Sequence, residues 1–173
     1  MHDTAGQVSC TARIADESAI RQILALHCRG VDRADEAALK ACYWADATVK
    51  YGPQPTPAHE FCTGLVKAIA GFAQTHHQIG NVLIAFAAGE PSVRATVETY
   101  LTAYHYRDGA ADSELIYLGR YLDRFEKRGD TWKISRRLPV MSWSQNLPAS
   151  HDGAHPALAA LARAGRYPDD PVY

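Results

Sequence analysis

The chain has 173 residues, a length that suits one domain able to bury roughly two-thirds of its unfolded surface. Its 18 Lys and Arg side chains are balanced by 19 Asp and Glu side chains, and no stretch is dense enough in basic residues to follow a phosphate backbone, so nucleic acid is not expected as a partner. The N-terminus carries no secretory signal, and no window approaches the ~18 apolar residues that a membrane span needs, so we expect a soluble, cytoplasmic protein.

Two helices are predicted near the N-terminus. A cap at Asp16 or Ser18 starts the first helix, which ends at Asp32. Asp35 can cap a second, short helix that runs through Tyr43. The first helix has one unusual position, because a histidine stands on its apolar stripe where a leucine would pack better. The stripe consists of Ile20, Ile23, Leu24, His27, Cys28 and Val31.

The middle of the chain predicts one strand and one further helix. The strand covers residues 46–51 and is followed by residues 52–57, where three prolines exclude regular structure. The third helix starts at Thr56 and Pro57 and runs to about Gln74.

Four long segments rich in Val, Ile, Tyr, Thr and Leu predict strands over residues 78–87, 93–107, 114–127 and 131–141. Their short, turn-like connectors favour an antiparallel meander. Helices first and strands second indicate the α+β class, with a curved sheet wrapped over three helices around a cavity suited to a small molecule. Residues 1–148 form the predicted domain. Residues 149–173 form a tail, helical over 157–164, that can act as a lid, an oligomer contact or a partly disordered end.

A histidine and an aspartate are the first candidates for chemistry. Strand alternation places His77 and Asn81 on one face and His76 on the other, so only one of the two histidines faces inward. An inward histidine can be a structural, hydrogen-bonded residue or a general base. Asp35 is better placed than Asp32 to cap the second helix, which leaves Asp32 without an evident structural role. An aspartate that holds an imidazole selects its tautomer and stabilises the imidazolium, as a histidine base requires. Asn81, on the inward face, is a candidate to bind substrate.

An arginine and several tyrosines are further candidates. Arg136 and Arg137 are adjacent in the last strand, so one faces the interior, where it can bind an anion or stabilise an oxyanion, unless both form surface salt bridges. Most of the nine tyrosines are expected to pack. One or two phenols can still face the cavity, and we take Tyr51, Tyr104 and Tyr121 as candidates to bind substrate.

Metal and cofactor sites have no support in the sequence. The eight histidines show no spacing typical of zinc or iron sites, and histidines adjacent on a strand diverge. Glycine-rich phosphate loops are absent as well. We therefore expect neither a metal nor an organic cofactor.

The order of these features resembles the SnoaL-like branch of the nuclear transport factor 2-like (NTF2-like) superfamily over about residues 12–148. No single motif is specific, but five occur in the right order. They are Asp32-Arg33-x-Asp35, Ala45-Asp46-Ala47, Thr75-x-His77-x-Ile79-x-Asn81, Gly119-Arg120-Tyr121-x-Asp123-Arg124, and Trp132-Lys133-Ile134 leading to Arg137.

The resemblance implies a cone-shaped fold, a homodimer or homotrimer, and a hydrophobic pocket without metal or organic cofactor. In dehydratase-like and dehydrochlorinase-like members a His-Asp pair abstracts a carbon-bound proton, and these positions look like His77 and Asp32. The family's neighbouring arginine looks like Arg137, and a position that is usually lysine or tyrosine falls on His27. The chain also departs from the family at Ser142, where an acidic residue is common, so the exact reaction does not transfer.

The resemblance therefore favours a cofactor-independent lyase acting on a small aromatic or cyclic, hydrophobic molecule. His77 and Asp32 would remove a proton, with Arg137 and His27 assisting, and water or a small carbonyl fragment such as formaldehyde would leave. An isomerase or cyclase would use the same base. The remaining alternatives are a non-catalytic ligand-binding protein and the small subunit of a ring-hydroxylating dioxygenase.

Overall fold

The computed structural model describes residues 4–88, 93–108, 113–149 and 155–173, with side chains from Cys10 onward. It contains helices α1 (Thr4–Asp32), α2 (Glu36–Ala41) and α3 (Ala58–Ile69). The predicted cap of α1 at Asp16 or Ser18 is wrong, because the helix begins well upstream and the Asp16 carboxylate instead accepts hydrogen bonds from Lys127 and Trp132, each 2.8 Å long. These bonds join α1 to the sheet.

The other two helices are shorter than predicted. Asp35 caps α2 as expected, accepting a 2.9 Å hydrogen bond from the Ala38 N–H. The helix ends at Ala41, and Tyr43 already belongs to a strand. Helix α3 ends at Ile69 rather than near Gln74, which begins the next strand.

The six strands form one mixed sheet in the order β2-β1-β6-β5-β4-β3. From β3 to β6, each strand pairs antiparallel with the next strand along the chain, which confirms the predicted meander. Strand β1 instead pairs with β6 in parallel. The prediction that the proline-rich segment lacks regular structure is wrong at its end, since β2 pairs with β1 at the sheet edge, where a proline is tolerated. The strands are β1 (Tyr43–Val49), β2 (Thr56–Pro57), β3 (Gln74–Phe86), β4 (Arg94–Arg107), β5 (Ser113–Arg128) and β6 (Thr131–Pro148).

The core lies between the helices and one face of the sheet. The apolar stripe of α1 packs against that face through Ile20, Leu24 and Val31, and Phe125 and Ile134 meet it from β5 and β6. Irregular pairing at four places in the described strands interrupts the ladders, and such bulges bend a sheet. No helix in the described part of the chain is long and apolar enough to cross a membrane.

The helix predicted over residues 157–164 is wrong. Only a 3₁₀ turn, Pro156–Leu158, forms there, and irregular backbone follows it. The alanines in this segment favour a helix, but eight residues are too few to form a stable one without packing. Residues 165–173 fold back onto the end of α1, where the Tyr167 N–H donates to the Arg33 carbonyl over 2.7 Å.

Candidate active site

A cavity of about 230 Å³ lies between α1, α3 and the sheet. Most of its wall is apolar, with Val31 from α1, Leu65 and Ile69 from α3, and Leu101 and Leu115 from the sheet. A smaller number of polar side chains interrupt this wall, which is typical of small-molecule sites. They are His27, Tyr51, His77, His105, Tyr117, Tyr121 and Arg137.

The structure brings His77 and Asp32 together. The Nδ1 atom of His77 lies 2.7 Å from the Oδ1 atom of Asp32, and both side chains are only 7% exposed. The carboxylate also accepts hydrogen bonds from the His77 main-chain N–H to Oδ2 (2.9 Å) and from the Thr75 hydroxyl to Oδ1 (3.0 Å). His77 lines the cavity, whereas Asp32 lies behind it.

Local sequence explains this meeting. Ala34 adopts a left-handed conformation (φ 51°), and Asp35 donates its N–H to the Gly30 carbonyl. This pattern ends a helix, and it leaves Asp32 in the last turn of α1. Helix α1 packs on β3, where alternation turns Thr75 and His77 inward.

The electrostatics of the pair suit a general base. Burial opposes ionisation of Asp32, but the hydrogen bonds from His77 and Thr75 outweigh it and lower the pKa of the carboxyl. An ionised carboxylate only accepts hydrogen bonds, so Nδ1 of His77 carries the proton. Nε2 of the neutral ring then holds the lone pair that can accept a proton.

Arg137 is the inward member of the arginine pair and Arg136 the exposed one. The Arg137 side chain is 1% exposed and forms a bidentate ion pair with Asp123, with Nε–Oδ1 and Nη2–Oδ2 distances of 2.8 and 2.7 Å. Burial disfavours the charge, but the Asp123 carboxylate more than offsets this and raises the pKa of Arg137. The guanidinium carbon lies 3.9 Å from the centre of the Tyr121 ring, and Nη1 has no hydrogen-bond partner among the described residues. Arg137 therefore lines the cavity with one donor that no described residue satisfies.

His27 lies on the cavity wall and is 3% exposed. Its Nε2 and the Tyr43 hydroxyl share a 3.0 Å hydrogen bond, while Nδ1 has no partner in the described part of the chain. Burial, together with the positive charge of Arg137, lowers the pKa of His27 well below the usual value. A neutral imidazole with an unused nitrogen faces the site.

The four predicted substrate-binding residues have different locations. Tyr121 and Tyr51 line the cavity, Tyr51 as a 70% exposed residue at its rim. Tyr104 does not line it, because alternation puts its side chain on the opposite face of β4, where its ring centre lies 6.4 Å from that of His76. Asn81 is exposed and does not line the cavity either, because the pairing register shifts between Ile79 and Val82 and reverses the alternation.

Sequence reasoning missed several residues around the site. His105 lines the cavity, its ring centre 5.2 Å from that of His77, and its Nδ1–H donates to the Leu115 carbonyl over 3.3 Å. Its location follows from alternation with Leu101 and Ala103, so the signal was present. Asp123 stands in one of the five family motifs, but nothing in the sequence paired it with Arg137, because that contact depends on the register between β5 and β6.

No group of three His, Cys, Asp or Glu in the described ranges is arranged to hold a metal ion. The polar groups in the wall include the His77 imidazole, which is paired with Asp32, and two residues, Arg137 and His27, that each have a nitrogen without a partner among the described residues.

Comparison with known proteins identifies the family. The model of the SnoaL-like domain matches residues 12–138, whereas no curated protein sequence matches the chain. A protein assigned as a scytalone dehydratase from Novosphingobium aromaticivorans superposes with a TM-score of 0.69 at 21% identity, covering 83% of this chain and 93% of that one. The hexachlorocyclohexane dehydrochlorinase LinA-type3 from Novosphingobium barchaimii gives a TM-score of 0.68 at 19% identity, covering 81% and 95%. The chain belongs to the SnoaL-like family and has the NTF2-like fold that these dehydratase and dehydrochlorinase structures share.

Proposed function

We propose that the chain is a cofactor-independent lyase in which His77 removes a proton from a small aromatic or cyclic, hydrophobic substrate. The observation that carries the proposal is the His77–Asp32 pair, with its 2.7 Å contact, at the wall of an apolar cavity. Nε2 takes the proton, and Asp32 stabilises the imidazolium that forms. The shared fold with proteins named as a dehydratase and a dehydrochlorinase supports an elimination.

The elimination balances with groups of this chain. The electrons of the broken C–H bond form a carbon–carbon double bond while the bond from the neighbouring carbon to oxygen breaks. Arg137 and His27 would bind the departing oxygen through their unpartnered nitrogens. The hydroxyl of Tyr51 at the rim can supply its proton, and water leaves. Loss of formaldehyde from a hydroxymethyl group would use the same base on the hydroxyl proton. The C=O bond of formaldehyde forms as the carbon–carbon bond breaks, and the electrons of that bond go to the remaining carbon, which takes the proton back from His77.

Size and charge narrow the substrate. An apolar cavity of ~150 Å³ holds benzene, so one of about 230 Å³ suits a ring with a few substituents. Asp123 neutralises Arg137, which leaves Asp32 as the charge nearest to the base. A neutral substrate with a hydroxyl or carbonyl group fits this site better than a carboxylate.

The test begins with a panel of neutral hydroxylated aromatic and cyclic compounds, with product masses read by mass spectrometry. On the compound that reacts, we expect His77→Ala to lose at least roughly a hundredfold in turnover with ligand affinity retained, as expected for a lost general base. His76→Ala, at the exposed neighbouring position, is the matched control and should keep full activity. Unchanged turnover in His77→Ala would refute the mechanism.

The same base also fits an isomerase, since returning the proton to another carbon needs no new group. Product mass separates the two reactions, because an elimination loses atoms and an isomerisation loses none.

A further inference from the structure

The segment of residues 165–173, which we call the C-terminal segment, lies against the end of α1 immediately behind the His77–Asp32 pair. It is held there by the Tyr167 N–H, which donates to the Arg33 carbonyl, and by the Tyr173 hydroxyl, which donates to Asp35 Oδ2 over 2.7 Å. The buried Asp170 carboxylate closes the segment on itself by accepting the Gly165 N–H (2.9 Å). The family model ends at residue 138, so the SnoaL-like match does not account for this segment.

Arg166 connects the C-terminal segment to three elements of the site. Its Nη1 donates to the main-chain carbonyl of Asp32 at the end of α1 and, over 3.1 Å, to the hydroxyl of Thr75 in β3. Its Nη2 donates over 3.0 Å to the carbonyl of Phe72, between α3 and β3. One half-buried guanidinium thus holds together the places where α1 ends and β3 begins.

The contact with Thr75 also orients a hydroxyl. Because the Thr75 oxygen accepts from Arg166, its own hydrogen is directed to Asp32 Oδ1, 3.0 Å away. Oδ1 is the atom that also accepts from His77 Nδ1. The main-chain N–H of His77 holds Oδ2, so the plane of the carboxylate is fixed from both sides.

We propose that Arg166 is a positioning residue for the His77–Asp32 pair. It acts through Thr75 and through the main chain of Asp32, and keeps the carboxylate in the orientation that accepts the Nδ1 proton of His77. The C-terminal segment is thereby part of the active-site apparatus, although Arg166 does not line the cavity. This inference rests on the proposed function, because it concerns the base that function requires.

The test needs no substrate. Histidine ¹⁵N shifts of the free protein at neutral pH give the ratio of the Nδ1–H to the Nε2–H tautomer of His77. We expect the Nδ1–H form to dominate in the wild type. Arg166→Gln should shift the ratio severalfold toward the Nε2–H form, whereas Arg21→Gln, the same substitution at an exposed position of α1, should leave it unchanged.

Thr75→Val keeps the main-chain bonds of Arg166 and removes only the hydroxyl, so it tests the connection even if Arg166→Gln fails to fold. It should shift the ratio in the same direction. In the double variant, the tautomer ratio, expressed as a free energy, should change by less than the sum of the two single effects. The reason is that both substitutions break the same series of hydrogen bonds, from Arg166 through Thr75 to Asp32. Lower thermal stability with an unchanged ratio in both single variants would show a merely structural role and overturn the inference.

The outcomes separate the two proposals. A wild type without a preference for the Nδ1–H tautomer would overturn the proposed base, and the role of Arg166 with it. A wild type with that preference and variants without a shift would overturn the role of Arg166 alone. Once a reacting compound is known, Arg166→Gln should lower kcat and leave KM nearly unchanged, because the side chain does not line the cavity.

Discussion

At the scale of single residues, the buried pair of Arg137 and Asp123 combines a structural and a functional role. Arg137→Met leaves the Asp123 charge buried without a partner, which should lower the free energy of unfolding by about 3–5 kcal/mol in urea titrations. Arg137→Met/Asp123→Leu removes both charges and should recover most of that loss. Neither variant should turn over substrate, because the Nη1 donor is gone in both. Recovered turnover in the double variant would show that the guanidinium only stabilises the fold.

His27 predicts how stability depends on pH. Burial lowers its pKa in the folded protein well below the value of about 6.5 that the unfolded chain retains. Between the two values the unfolded state binds the additional proton, so the free energy of unfolding falls as pH falls, by up to ~1.4 kcal/mol per pH unit. His27→Gln cannot take up this proton and should reduce the slope measured by urea titration between pH 7 and pH 5. Burial also lowers the pKa of His105, so the variant should retain part of the pH dependence of the free energy of unfolding. A slope equal to that of the wild type would contradict the prediction.

At the scale of elements, local periodicity was sufficient to predict which side chains share a face wherever the strands are regular. Alternation predicted that one side chain of each neighbouring pair faces inward, and the structure puts His77 and Arg137 there. It did not choose Arg137 over Arg136, because the pairing of β6 shifts between Ile134 and Arg136 and changes which positions are buried. It failed at Asn81, because the register shift after Ile79 reverses the faces and leaves no mark in the residue pattern. The contact of Arg166 with Asp32 spans 134 positions, and neither spacing nor propensity encodes such a contact. The meeting of His77 with Asp32 was likewise expected from the family resemblance and not from the residues.

Strand β5 has a glycine where no side chain fits. A Cβ atom at Gly119 would meet the main-chain carbonyl of Val140 on β6 and, at 2.8 Å, the ring of Tyr117, which lines the cavity. Because backbone cannot easily yield, Gly119→Ala should destabilise the protein by about 1–3 kcal/mol and displace Tyr117. Gly64→Ala is the matched control: its Cβ would meet nothing within 4 Å, and alanine favours a helix such as α3 by up to about 1 kcal/mol. The unfolding temperature should therefore fall in Gly119→Ala and rise in Gly64→Ala. Equal shifts in the two variants would contradict the steric argument.

At the scale of the whole molecule, the face of the sheet turned away from the helices carries exposed apolar side chains among its polar ones. One row of paired positions crosses β3 to β6 and consists of Leu83, Glu98, Leu122 and Leu138. Leu83 is 58% exposed. Trp143 on β6 adds a ring that is 50% exposed. An exposed apolar surface of this kind marks a contact with another molecule. Its Glu98–Arg120 ion pair, 2.6 Å long, places both charges on the same face. Such a face can complement its own copy.

We propose that a second copy of the chain covers this face, in the homodimer or homotrimer expected from the family resemblance. Sedimentation at micromolar concentration should give a particle of two or three times the 19.0 kDa chain mass. Leu83→Glu should shift it to the monomer, because a charge buried in an apolar interface has no partner. Ile14→Glu, on α1 and similarly exposed at 63%, should leave the mass unchanged. A wild-type monomer would refute the interface. An assembly that survives Leu83→Glu would place the contact on another surface, away from the row that crosses β3 to β6.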